Sequence, residues 1–472
     1  MHLGIDRQSR KIIAAIDDTG TELSYGGLCD FAIEFGSMMP RRSIVFCLCE
    51  NTIGALSGYI GCLSNHIVPL LIGATIDRKL LAHLIEVYTP AYMWMPEGLV
   101  SEFNFPILYK AYGFVLVRME HERYPINDDL AMLLTTSGST GSPKLVRHKY
   151  INLVANAKNV AALFDWTKAD RAVVDLPMQY TMGLNVINSH LYAGASVLLT
   201  EHNLMSPDFW RNIKVQRATN FTGVPFSYEV LFKLRFTRMD LPYLTTFAEG
   251  GGKLTDGMFA DLADYASRTG KRFFATFGTT ETSARLAFLP AELAKAKIGS
   301  IGRAIPGGEL FLLDEKGNEI KQNEVEGELG YRGPNVTMGY AYCRDDLMLG
   351  DEWQGEYRTG DIARRDRDGC YYILGRKSRF LKLYGLRVSL DRCERLIKDE
   401  FKIDCVCTGT DKRMDIYITE DKYKDEVRRF ISIKTGIIMS AYAVFIVEII
   451  PRNESGKVQY KALDRKLALR LV

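Results

Sequence analysis

Leu130-Ala131-Met132-Leu133-Leu134-Thr135-Thr136-Ser137-Gly138-Ser139-Thr140-Gly141-Ser142-Pro143-Lys144 is an apolar run that continues into a loop of small polar residues. The apolar part is typical of a strand that is buried in a sheet. In the loop, glycines let backbone N–H groups turn inward, hydroxyls donate hydrogen bonds and a lysine adds positive charge. The segment therefore predicts a phosphate-binding loop that follows a buried strand.

A flexible polar loop without a ligand would have a similar composition, but its place directly after a buried strand favours the phosphate site. The loop lacks the Walker A spacing, which is a glycine, four residues of any type, and then Gly-Lys-Ser or Gly-Lys-Thr. The sequence therefore disfavours the P-loop NTPases and indicates another class of nucleotide-binding protein.

Short apolar strands alternate with helical patterns through most of the chain before residue 370, which predicts layers of helix and sheet. The predicted strands include Ser43–Leu48, Leu130–Thr135, Arg171–Leu176 and Ala195–Thr200, and Ile151–Leu163 is a predicted helix. From about Gly308 onward, short strands and turns predict a small β-rich subdomain.

The pattern changes again after Gly375-Arg376. Helices near Leu390–Lys398 and Asp421–Ile433 and an apolar strand at Tyr442–Ile450 predict a compact α+β unit. The predicted fold class is therefore α/β, with a large N-terminal domain of several subdomains at 1–375 and a small, mobile α+β domain at 376–472.

Length and composition exclude some function classes. A chain of 472 residues is long for one core, and 47% hydrophobic with 25% charged residues is ordinary for a soluble globular protein. The formal net charge of +3 is too small to indicate a nucleic-acid partner. The charge is uneven, because residues 376–472 carry +8 and the remainder −5. The terminal unit therefore has either a solvated basic surface or an anionic partner.

Targeting and redox signals point to the cytoplasm. Met1–Asp6 lacks the pattern of a signal peptide. The most apolar stretch, Ile53–Ile72, is interrupted by polar residues and predicts a helix that runs into a strand, not a membrane span. The nine cysteines are odd in number and scattered, which favours reduced structural thiols.

Further motifs follow the loop in a fixed order. They are Gly250-Gly251-Gly252-Lys253-Leu254, Phe277-Gly278-Thr279-Thr280-Glu281, Gly327-Glu328-Leu329, Arg332-Gly333-Pro334, Gly339-Tyr340, Tyr357-Arg358-Thr359-Gly360-Asp361, Gly375-Arg376, Lys382–Val388, and Pro451 with Gly456-Lys457. Together with the loop they resemble the motifs of the adenylate-forming superfamily, which contains acyl-CoA synthetases, peptide-synthetase adenylation domains and luciferases. The resemblance extends from about Leu23 to Lys457.

The resemblance implies an ATP site with Mg²⁺. The β- and γ-phosphates would be held by Thr136, Ser137, Gly138, Ser139, Thr140, Gly141 and Lys144, and further nucleotide contacts would come from Gly250, Gly251, Gly252, Phe277, Gly278 and Thr279. Thr280 would hydrogen-bond the α-phosphate, and Glu281 would help hold Mg²⁺, a hard cation that prefers oxygen ligands. Asp361 would accept hydrogen bonds from the ribose hydroxyls, and Arg376 would add a ribose or phosphate contact.

The resemblance also implies a reaction in two halves. Lys457 would bridge a small carboxylic acid and the α-phosphate as the acyl-adenylate forms and pyrophosphate leaves. The small domain would then rotate about a hinge near Ser378 and bring Gly385 and Arg387 beside a channel for a thiol. The thiol would belong to CoA or to the phosphopantetheine of a separate acyl or peptidyl carrier protein. An amide ligase that uses an amine and a non-catalytic nucleotide-binding relative are the alternatives.

The acid pocket is implied by Leu176–Leu184, which resembles the P-x-x-H-x-x-G-L block of acyl-CoA synthetases with Tyr180 in place of the histidine. Val224, Pro225 and Phe247 would line the same pocket or would be plain core residues. The aspartate with which peptide-synthetase domains bind an α-amino group is missing. Apolar and aromatic walls favour a fatty or aromatic acid.

Other departures from the family pattern concern the joins between motifs. Leu145 stands where the family usually has glycine, and the expected histidine has a candidate only at His148, four residues after Lys144. This predicts a shortened join from the loop to the helix. The hinge acid is replaced by Ser378, and rotation is expected to survive because a pivot depends on backbone freedom more than on charge.

Overall fold

The computed structural model describes residues 1–103, 105–135, 144–384, 386–452, 458–460 and 463. The α-helices in these ranges are α1 Tyr25–Ser37, α2 Ile53–Ser64, α3 Arg78–Tyr88, α4 Tyr150–Phe164, α5 Thr181–Ala193, α6 Pro207–Val215, α7 Pro225–Lys233, α8 Asp256–Thr269, α9 Leu390–Phe401 and α10 Lys424–Thr435.

The strands fall into five sheets. Up to residue 199 they are β1 Ile13–Ile16, β2 Glu22–Ser24, β3 Ile44–Cys49, β4 Val68–Gly73, β5 Tyr92–Pro96, β6 Ile107–Ala111, β7 Phe114–Arg118, β8 Leu130–Thr135, β9 Leu145–Lys149, β10 Arg171–Val174 and β11 Ser196–Leu199. Up to residue 341 they are β12 Asn220–Gly223, β13 Thr246–Glu249, β14 Arg272–Thr279, β15 Ala284–Leu289, β16 Arg303–Ala304, β17 Glu309–Leu313, β18 Glu319–Ile320, β19 Val325–Arg332 and β20 Tyr340–Ala341. The remaining strands are β21 Glu356–Arg365, β22 Tyr371–Arg376, β23 Phe380–Leu383, β24 Leu386–Ser389, β25 Cys405–Thr410, β26 Arg413–Ile418 and β27 Tyr442–Ile446.

Two large sheets carry the N-terminal part. The first has the order β16-β15-β14-β13-β12-β10-β11-β1-β2, and its strands β14, β13, β12, β10, β11 and β1 run parallel. The second has the order β20-β9-β8-β4-β3-β5-β7-β6, with β8, β4, β3 and β5 parallel. Every residue of β3, Ile44–Cys49, is buried. Its uninterrupted apolar sequence is what a parallel strand covered on both faces requires.

Helices fill the space between these sheets and cover their outer faces. One hydrophobic cluster joins α1, α2, α4 and α5 to the facing sides of both sheets, for example Val45 and Cys47 of β3 with Val174 of β10. A second cluster packs α6, α7 and α8 on the far side of the first sheet. A third packs α3 on the far side of the second sheet. The N-terminal part therefore has five layers, in the order helix, sheet, helix, sheet, helix.

Two smaller units follow. The third sheet, in the order β18-β17-β19-β21-β22, is antiparallel throughout and corresponds to the β-rich subdomain expected from the sequence. After β22, the hairpin β23–β24, the three-stranded sheet β25-β26-β27 and helices α9 and α10 share a hydrophobic cluster of their own. The predicted fold class, a large α/β part followed by a small α+β part, is confirmed.

The join between the phosphate loop and the helix differs from the prediction. The sequence suggested a short connection into a helix, but β9, Leu145–Lys149, returns antiparallel beside β8 before α4 begins at Tyr150. Leu145 is fully buried, which explains an apolar residue where the family has glycine. Arg147, also buried, pairs with Glu352 and donates to backbone carbonyls. Such partners allow a charged side chain inside a sheet.

The apolar stretch Ile53–Ile72 forms helix α2 and then enters β4 at Val68, as the sequence predicts. Within the described ranges, no helix has both the length and the apolar character to cross a membrane. All nine cysteines lie in these ranges and are free thiols, eight of them buried.

Glycines in α2 allow this helix to lie close to the second sheet. A Cβ on Gly58 would lie 2.2 Å from the indole Nε1 of Trp94, and a Cβ on Gly54 would lie 2.3 Å from Cδ2 of Phe114. The Trp94 indole N–H donates to the carbonyl of Gly54 at 2.9 Å. The aromatic side chains of the sheet therefore occupy the space that larger helix residues would need.

Gly58→Ala should lower the free energy of unfolding although alanine favours a helix by about 1 kcal/mol over glycine. We expect a loss of about 1–3 kcal/mol, because the new methyl group displaces Trp94. The loss is measured by urea titration with tryptophan fluorescence. Gly98→Ala is the matched control, because a Cβ there meets no atom within 4 Å. Equal stabilities of the two variants would contradict the close contact.

Candidate active site

The candidate nucleotide site lies where the first, second and third sheets meet. Thr280 and Glu281 belong to a 3₁₀ turn, Thr280–Thr282, directly after β14. Lys144 directly precedes β9, while Asp361 and Arg376 lie on β21 and β22. Interactions through Tyr340 and Tyr357 bring these residues together.

Glu281 is held by its backbone and by its side chain. Its carbonyl oxygen accepts hydrogen bonds from the N–H and the Oγ1 of Thr337, both at 3.0 Å. Its Oε1 accepts a hydrogen bond of 2.7 Å from the hydroxyl of Tyr340. The ammonium of Lys144 lies 3.6 Å from the centroid of the Tyr340 ring, a cation–π contact. Tyr340 therefore contacts Glu281 through its hydroxyl and Lys144 through the face of its ring.

Asp361 and Arg376 are opposite each other in the β21–β22 ladder. The Arg376 Nε lies 2.9 Å from Asp361 Oδ1, and its Nη1 donates to the carbonyl of Thr359 at 3.2 Å. Among the described residues, nothing hydrogen-bonds the buried Oδ2 of Asp361. Burial raises the pKa of Asp361 to about 6 against the opposing charge of Arg376. This unpartnered oxygen fits a hydroxyl donor such as ribose.

Tyr357 connects the two groups. Burial raises the pKa of its hydroxyl, and the negative charges of Glu281 and Asp361 add to the shift. A hydrogen bond with Tyr340 and the charge of Arg376 oppose it. Tyr357 therefore lies within electrostatic reach of the carboxylates on both sides.

The segment Gly250–Gly252 follows β13 and lies against α5, α7 and β14. A Cβ on its first glycine would lie 2.5 Å from Cε of Met182 and 2.7 Å from Oγ1 of Thr276. A Cβ on its last glycine would lie 2.8 Å from Cγ of Pro225, and the middle glycine has a φ of +75°. Residues with a side chain do not fit these positions. The segment that the sequence assigned to the nucleotide therefore touches residues at the starts of α5 and α7.

Lys253 links this segment to the third sheet and to the small unit. Its ammonium donates to the carbonyl of Ile373 on β22 at 3.3 Å. Burial lowers the pKa of Lys253 to about 8, and the positive charge of Arg395 lowers it further. Because Arg395 belongs to α9, this helix of the small unit lies within electrostatic reach of Lys253.

The residues predicted for the acid pocket divide between two places. Tyr180 is the N-cap residue of α5, Val224 is the N-cap residue of α7, and Pro225 begins α7. Phe247 is 1% exposed, and its ring lies 5.7 Å from Phe236 and 5.9 Å from Tyr265 between centroids. The structure therefore places Phe247 in the aromatic core under α7 and α8, which is the second of the two environments that the sequence left open.

A small cavity lies between α4, α5, β8 and β9. Its volume of about 10 Å³ is roughly the room of one water molecule. It is lined by Met132, His148, Leu153, Asn156, Thr181, Leu184, Asn185, Asn188 and Ser283. Thr181 lines it at the start of α5, together with the apolar side chains of Leu184, Leu153 and Met132.

His148, the candidate for the displaced family histidine, lies within β9. Its Nδ1 is 3.1 Å from Oγ of Ser283, and its side chain is fully buried. Burial lowers its pKa to about 3, so the imidazole is neutral at physiological pH. His148 therefore belongs to the cavity wall and not to a loop-to-helix join.

Two buried carboxyl groups lie at the ends of strands on either side of β12. Asp175 follows β10, and Glu249 ends β13. Burial raises the pKa of Asp175 to about 7 and that of Glu249 to about 8. In the described part of the chain, Asp175 Oδ1 and Glu249 Oε2 have no hydrogen-bond partner. Both carboxyl groups therefore carry a proton through a large part of the neutral range.

Ser378, the predicted hinge residue, lies in a 3₁₀ turn, Lys377–Arg379. Gly375 just before it has a φ of +152°, and a Cβ there would lie 2.8 Å from an Asp391 oxygen and from Oγ of Ser389. The backbone N–H of Arg376 donates to Asp391 at 2.9 Å. The turn is therefore fixed at its start by the first residues of α9.

Some predicted residues lie outside the described residues. They are Thr136, Ser137, Gly138, Ser139, Thr140 and Gly141 of the loop, Gly385 of the thiol channel and Lys457. Arg387 is on β24, but its side chain is not described.

Other residues at the site were not predicted as site residues. Tyr340 and Tyr357 were quoted only as motif letters, and Arg285, Glu249 and Asp175 were not singled out. A charged residue inside an apolar strand pattern is the signal that could have found Arg285 and Glu249.

The carboxylate of Glu281 suits a magnesium ion that arrives with a nucleotide. Mg²⁺ usually takes one or two protein carboxylates and completes its octahedron with phosphate oxygens and water. Within the described ranges, no group of three or more His, Cys, Asp or Glu side chains could hold a metal by itself. Glu281 therefore fits as a partial ligand.

Comparison with known families identifies the N-terminal part. A family model described as "AMP-binding enzyme" matches residues 6–341.

Two relatives share moderate identity with the chain. An oxalate–CoA ligase of Arabidopsis thaliana is 28% identical over 70% of this chain and 66% of its own length. A 2-succinylbenzoate–CoA ligase of Bacillus velezensis is 27% identical over 73% of this chain and 71% of its own length. The matched region thus spans about two thirds of each relative.

A solved structure has the same fold. The O-succinylbenzoate coenzyme A synthetase of Bacillus subtilis, in complex with ATP and a magnesium ion, superimposes with a TM-score of 0.81 over 97% of this chain and 98% of that one. Its sequence identity is 19%, so the likeness concerns the fold alone.

Adenosine binding should depend on the ionisation of Asp361. A ribose hydroxyl donates to the carboxylate, so affinity is present above a pH of about 6 and decreases as the pH falls below it. We expect a loss of about tenfold per pH unit, measured by isothermal titration calorimetry between about pH 5 and pH 8. Adenosine carries no phosphate, so its own ionisation does not interfere.

Asp361→Asn is the matched control for this measurement. It should bind adenosine weakly at every pH, without the acid limb, because the amide does not titrate. An affinity of the unsubstituted protein that stays constant across the range would contradict the role of Asp361.

Proposed function

We propose that this chain, which belongs to the AMP-binding enzyme family, activates a carboxylic acid with ATP and transfers the acyl group to the thiol of CoA. The observation that carries the proposal is the group of Lys144, Tyr340 and Glu281 beside the Asp361–Arg376 pair. This group offers an ammonium for phosphate, a carboxylate for a phosphate-bound cation and an unpartnered buried oxygen for ribose. Both relatives are named as CoA ligases, which supports the thiol of CoA as acceptor.

In the first half of the reaction, a carboxylate oxygen of the acid attacks the α-phosphorus of ATP. The bond from that phosphorus to the bridging oxygen of the β-phosphate breaks, and pyrophosphate leaves. Lys144 and the loop Thr136–Gly141 hold the departing phosphates, and Thr280 donates to the α-phosphate. Glu281 would help hold Mg²⁺, whose charge would neutralise part of the charge of the phosphates.

Lys457 contributes the positive charge at the reacting centre. It bridges the incoming carboxylate and the α-phosphate, where negative charge repels negative charge as the bond forms. Burial lowers the pKa of Arg452, but the hydrogen bond and charge of Asp404 and the charge of Glu229 outweigh burial and raise it. Glu229 belongs to α7, so Arg452 lies within electrostatic reach of the helix whose start carries Val224 and Pro225.

In the second half, the small domain turns about the hinge at Ser378. Lys457 leaves the site, and Gly385 and Arg387 line the approach of the thiol. The sulfur attacks the acyl carbon of the adenylate, the bond from that carbon to the AMP oxygen breaks, and AMP leaves. Because the small domain rotates between the two steps, both steps can use the same acid pocket.

Two other acceptors are compatible with the same acyl-adenylate, and one of them has the same thiol chemistry as CoA. A phosphopantetheine arm on a separate carrier protein ends in the same thiol as CoA, and the +8 charge of residues 376–472 suits either anionic molecule. An amine would make the protein an amide ligase. ATP and CoA are metabolites of the cytoplasm, where we expect the protein to act.

Lys457→Ala should abolish acid activation. Acid-dependent ATP–pyrophosphate exchange is expected to fall by about 100-fold or more, because one charged group at the reacting centre is lost. Lys412→Ala, an exposed substitution in the same unit, is the matched control and should exchange normally. Exchange near the control level in Lys457→Ala would contradict the mechanism. A protein that exchanges with no acid of a broad panel would contradict the proposed function itself.

The same panel identifies the acceptor. With the preferred acid, CoA should be consumed in a stoichiometric thioester reaction that releases AMP. If product forms only with a pantetheinylated carrier, or only with an amine, that acceptor would take the place of CoA in the proposal.

Ser378→Pro should separate the two halves of the reaction. Proline fixes φ near −65° and removes an N–H, so it restricts rotation at the hinge. We expect thioester formation to slow by about tenfold or more while pyrophosphate exchange changes by less than about threefold. Ser378→Ala removes the hydroxyl without stiffening the backbone and should leave both rates unchanged. Equal slowing of both rates in Ser378→Pro would contradict the hinge.

A further inference from the structure

Arg285 is a buried cation without a counter-ion. Its side chain is 1% exposed on β15, next to the small cavity. Its Nη1 donates to Oδ1 of Asn185 at 2.7 Å and its Nη2 to Oγ1 of Thr222 at 3.3 Å. Within the described ranges its Nε is buried without a partner, and no carboxylate forms an ion pair with it.

A buried charge without a partner destabilises a protein by several kcal/mol, so such charges are normally paired or bound to a ligand. Burial lowers the pKa of Arg285 to about 9, which leaves the guanidinium charged at physiological pH. Its partners are neutral, since Asn185 and Thr222 offer uncharged oxygens and the guanidinium carbon lies 4.9 Å from the centroid of Phe164. They hold the planar group in place and leave its charge uncompensated.

The two buried acids nearby do not supply the missing charge. Burial raises the pKa of Asp175 to about 7 and that of Glu249 to about 8. The pKa of Arg285 is lowered by burial, and the opposing electrostatic influence on it comes from Tyr228. Among the described residues Arg285 hydrogen-bonds only uncharged oxygens, so an anion at its free Nε would come from a ligand.

Arg285 is joined to the segments of the candidate acid pocket. Arg285 follows Glu281 by four residues in the sequence. It is paired with Gly278 across the β14–β15 ladder. Asn185 lies one helical turn after Thr181 and also lines the cavity. Thr222 is two residues before Val224 at the start of α7. A ligand group that reached this guanidinium would approach between α5, α7 and β15.

We propose that Arg285 binds a second carboxylate of the substrate, which makes the substrate class dicarboxylic acids. The inference rests on the proposed function, because the first carboxylate is the one that reacts with ATP. Guanidinium groups bind carboxylates through two parallel hydrogen bonds, and Nε with one Nη provides such a pair.

The test compares acids that differ only in the distal group. Pyrophosphate exchange is measured with malonate, succinate, glutarate and phthalate, each beside its monoamide and the matching monocarboxylic acid. The monoamide keeps the shape and removes the charge. We expect kcat/KM for the best diacid to exceed that for its monoamide by about 100-fold or more, because a neutral group leaves Arg285 unpaired.

Arg285→Met should remove this preference. The kcat/KM for the diacid is expected to fall by about 100-fold, mostly through KM, while that for the monoamide changes by less than about threefold. Arg285→Lys should retain part of the preference, because it keeps the charge but not the two parallel hydrogen bonds. The ratio of kcat/KM for the diacid to kcat/KM for the monoamide, measured in one preparation, does not depend on how much of the variant is folded.

Thr222→Val covers the case in which Arg285→Met does not fold. It removes the hydroxyl that holds Nη2 and should reduce the ratio of diacid to monoamide by about tenfold. Two results would overturn the inference and leave the proposed function intact. One is a protein that activates monoamides or monoacids as well as diacids. The other is a variant at Arg285 that slows both acids equally, as a purely structural arginine would. Exchange with no acid at all would overturn the proposed function, and this inference with it.

Discussion

The hydrogen bond from Tyr340 to Glu281 is the contact on which the candidate site depends. Tyr340 lies on β20, which pairs with β9, so the residue that anchors Glu281 is fixed to the same sheet edge as Lys144. Glu281 itself follows a strand of the first sheet. This hydrogen bond therefore connects the turn after β14 of the first sheet to the edge of the second sheet.

This anchoring matters because the turn after Glu281 is strained. Ser283 and Ala284 have φ values of +54° and +103°, a region that favours glycine. Such residues cost about 1–3 kcal/mol each and persist where the surroundings hold them. Ser283 contacts His148, the side chain of Asn335 donates to the carbonyl of Thr282, and Thr337 donates to the carbonyl of Glu281. These contacts fix the chain between Glu281 and Arg285. The position of Arg285 therefore depends on the same turn that positions Glu281.

The sequence predicted the elements whose hydrophobic pattern is unambiguous. The strand Leu130–Thr135 and the helix predicted at Ile151–Leu163 agree with the structure within one residue. Strand β9 was missed because Arg147 and His148 interrupt its apolar pattern, and their buried partners, Glu352 and Ser283, are far away in sequence. The sequence left Phe247 open between pocket and core for a related reason. Alternation along a strand shows that two faces differ, but not which face borders the site.

The buried carboxyl groups and the buried arginine around the acid pocket respond differently to burial. This difference limits which charged groups the substrate can carry. A buried carboxyl group becomes neutral by taking up a proton, and the pKa values of about 7 for Asp175 and about 8 for Glu249 allow this near neutral pH. Arg285 has no comparable escape, because its pKa of about 9 leaves it charged. Arg285 therefore keeps its positive charge at a pH where the neighbouring carboxyl groups can become neutral. An acid with a cationic amino group would meet an unpaired guanidinium, whereas an acid with a second carboxylate would supply the charge that the folded chain lacks.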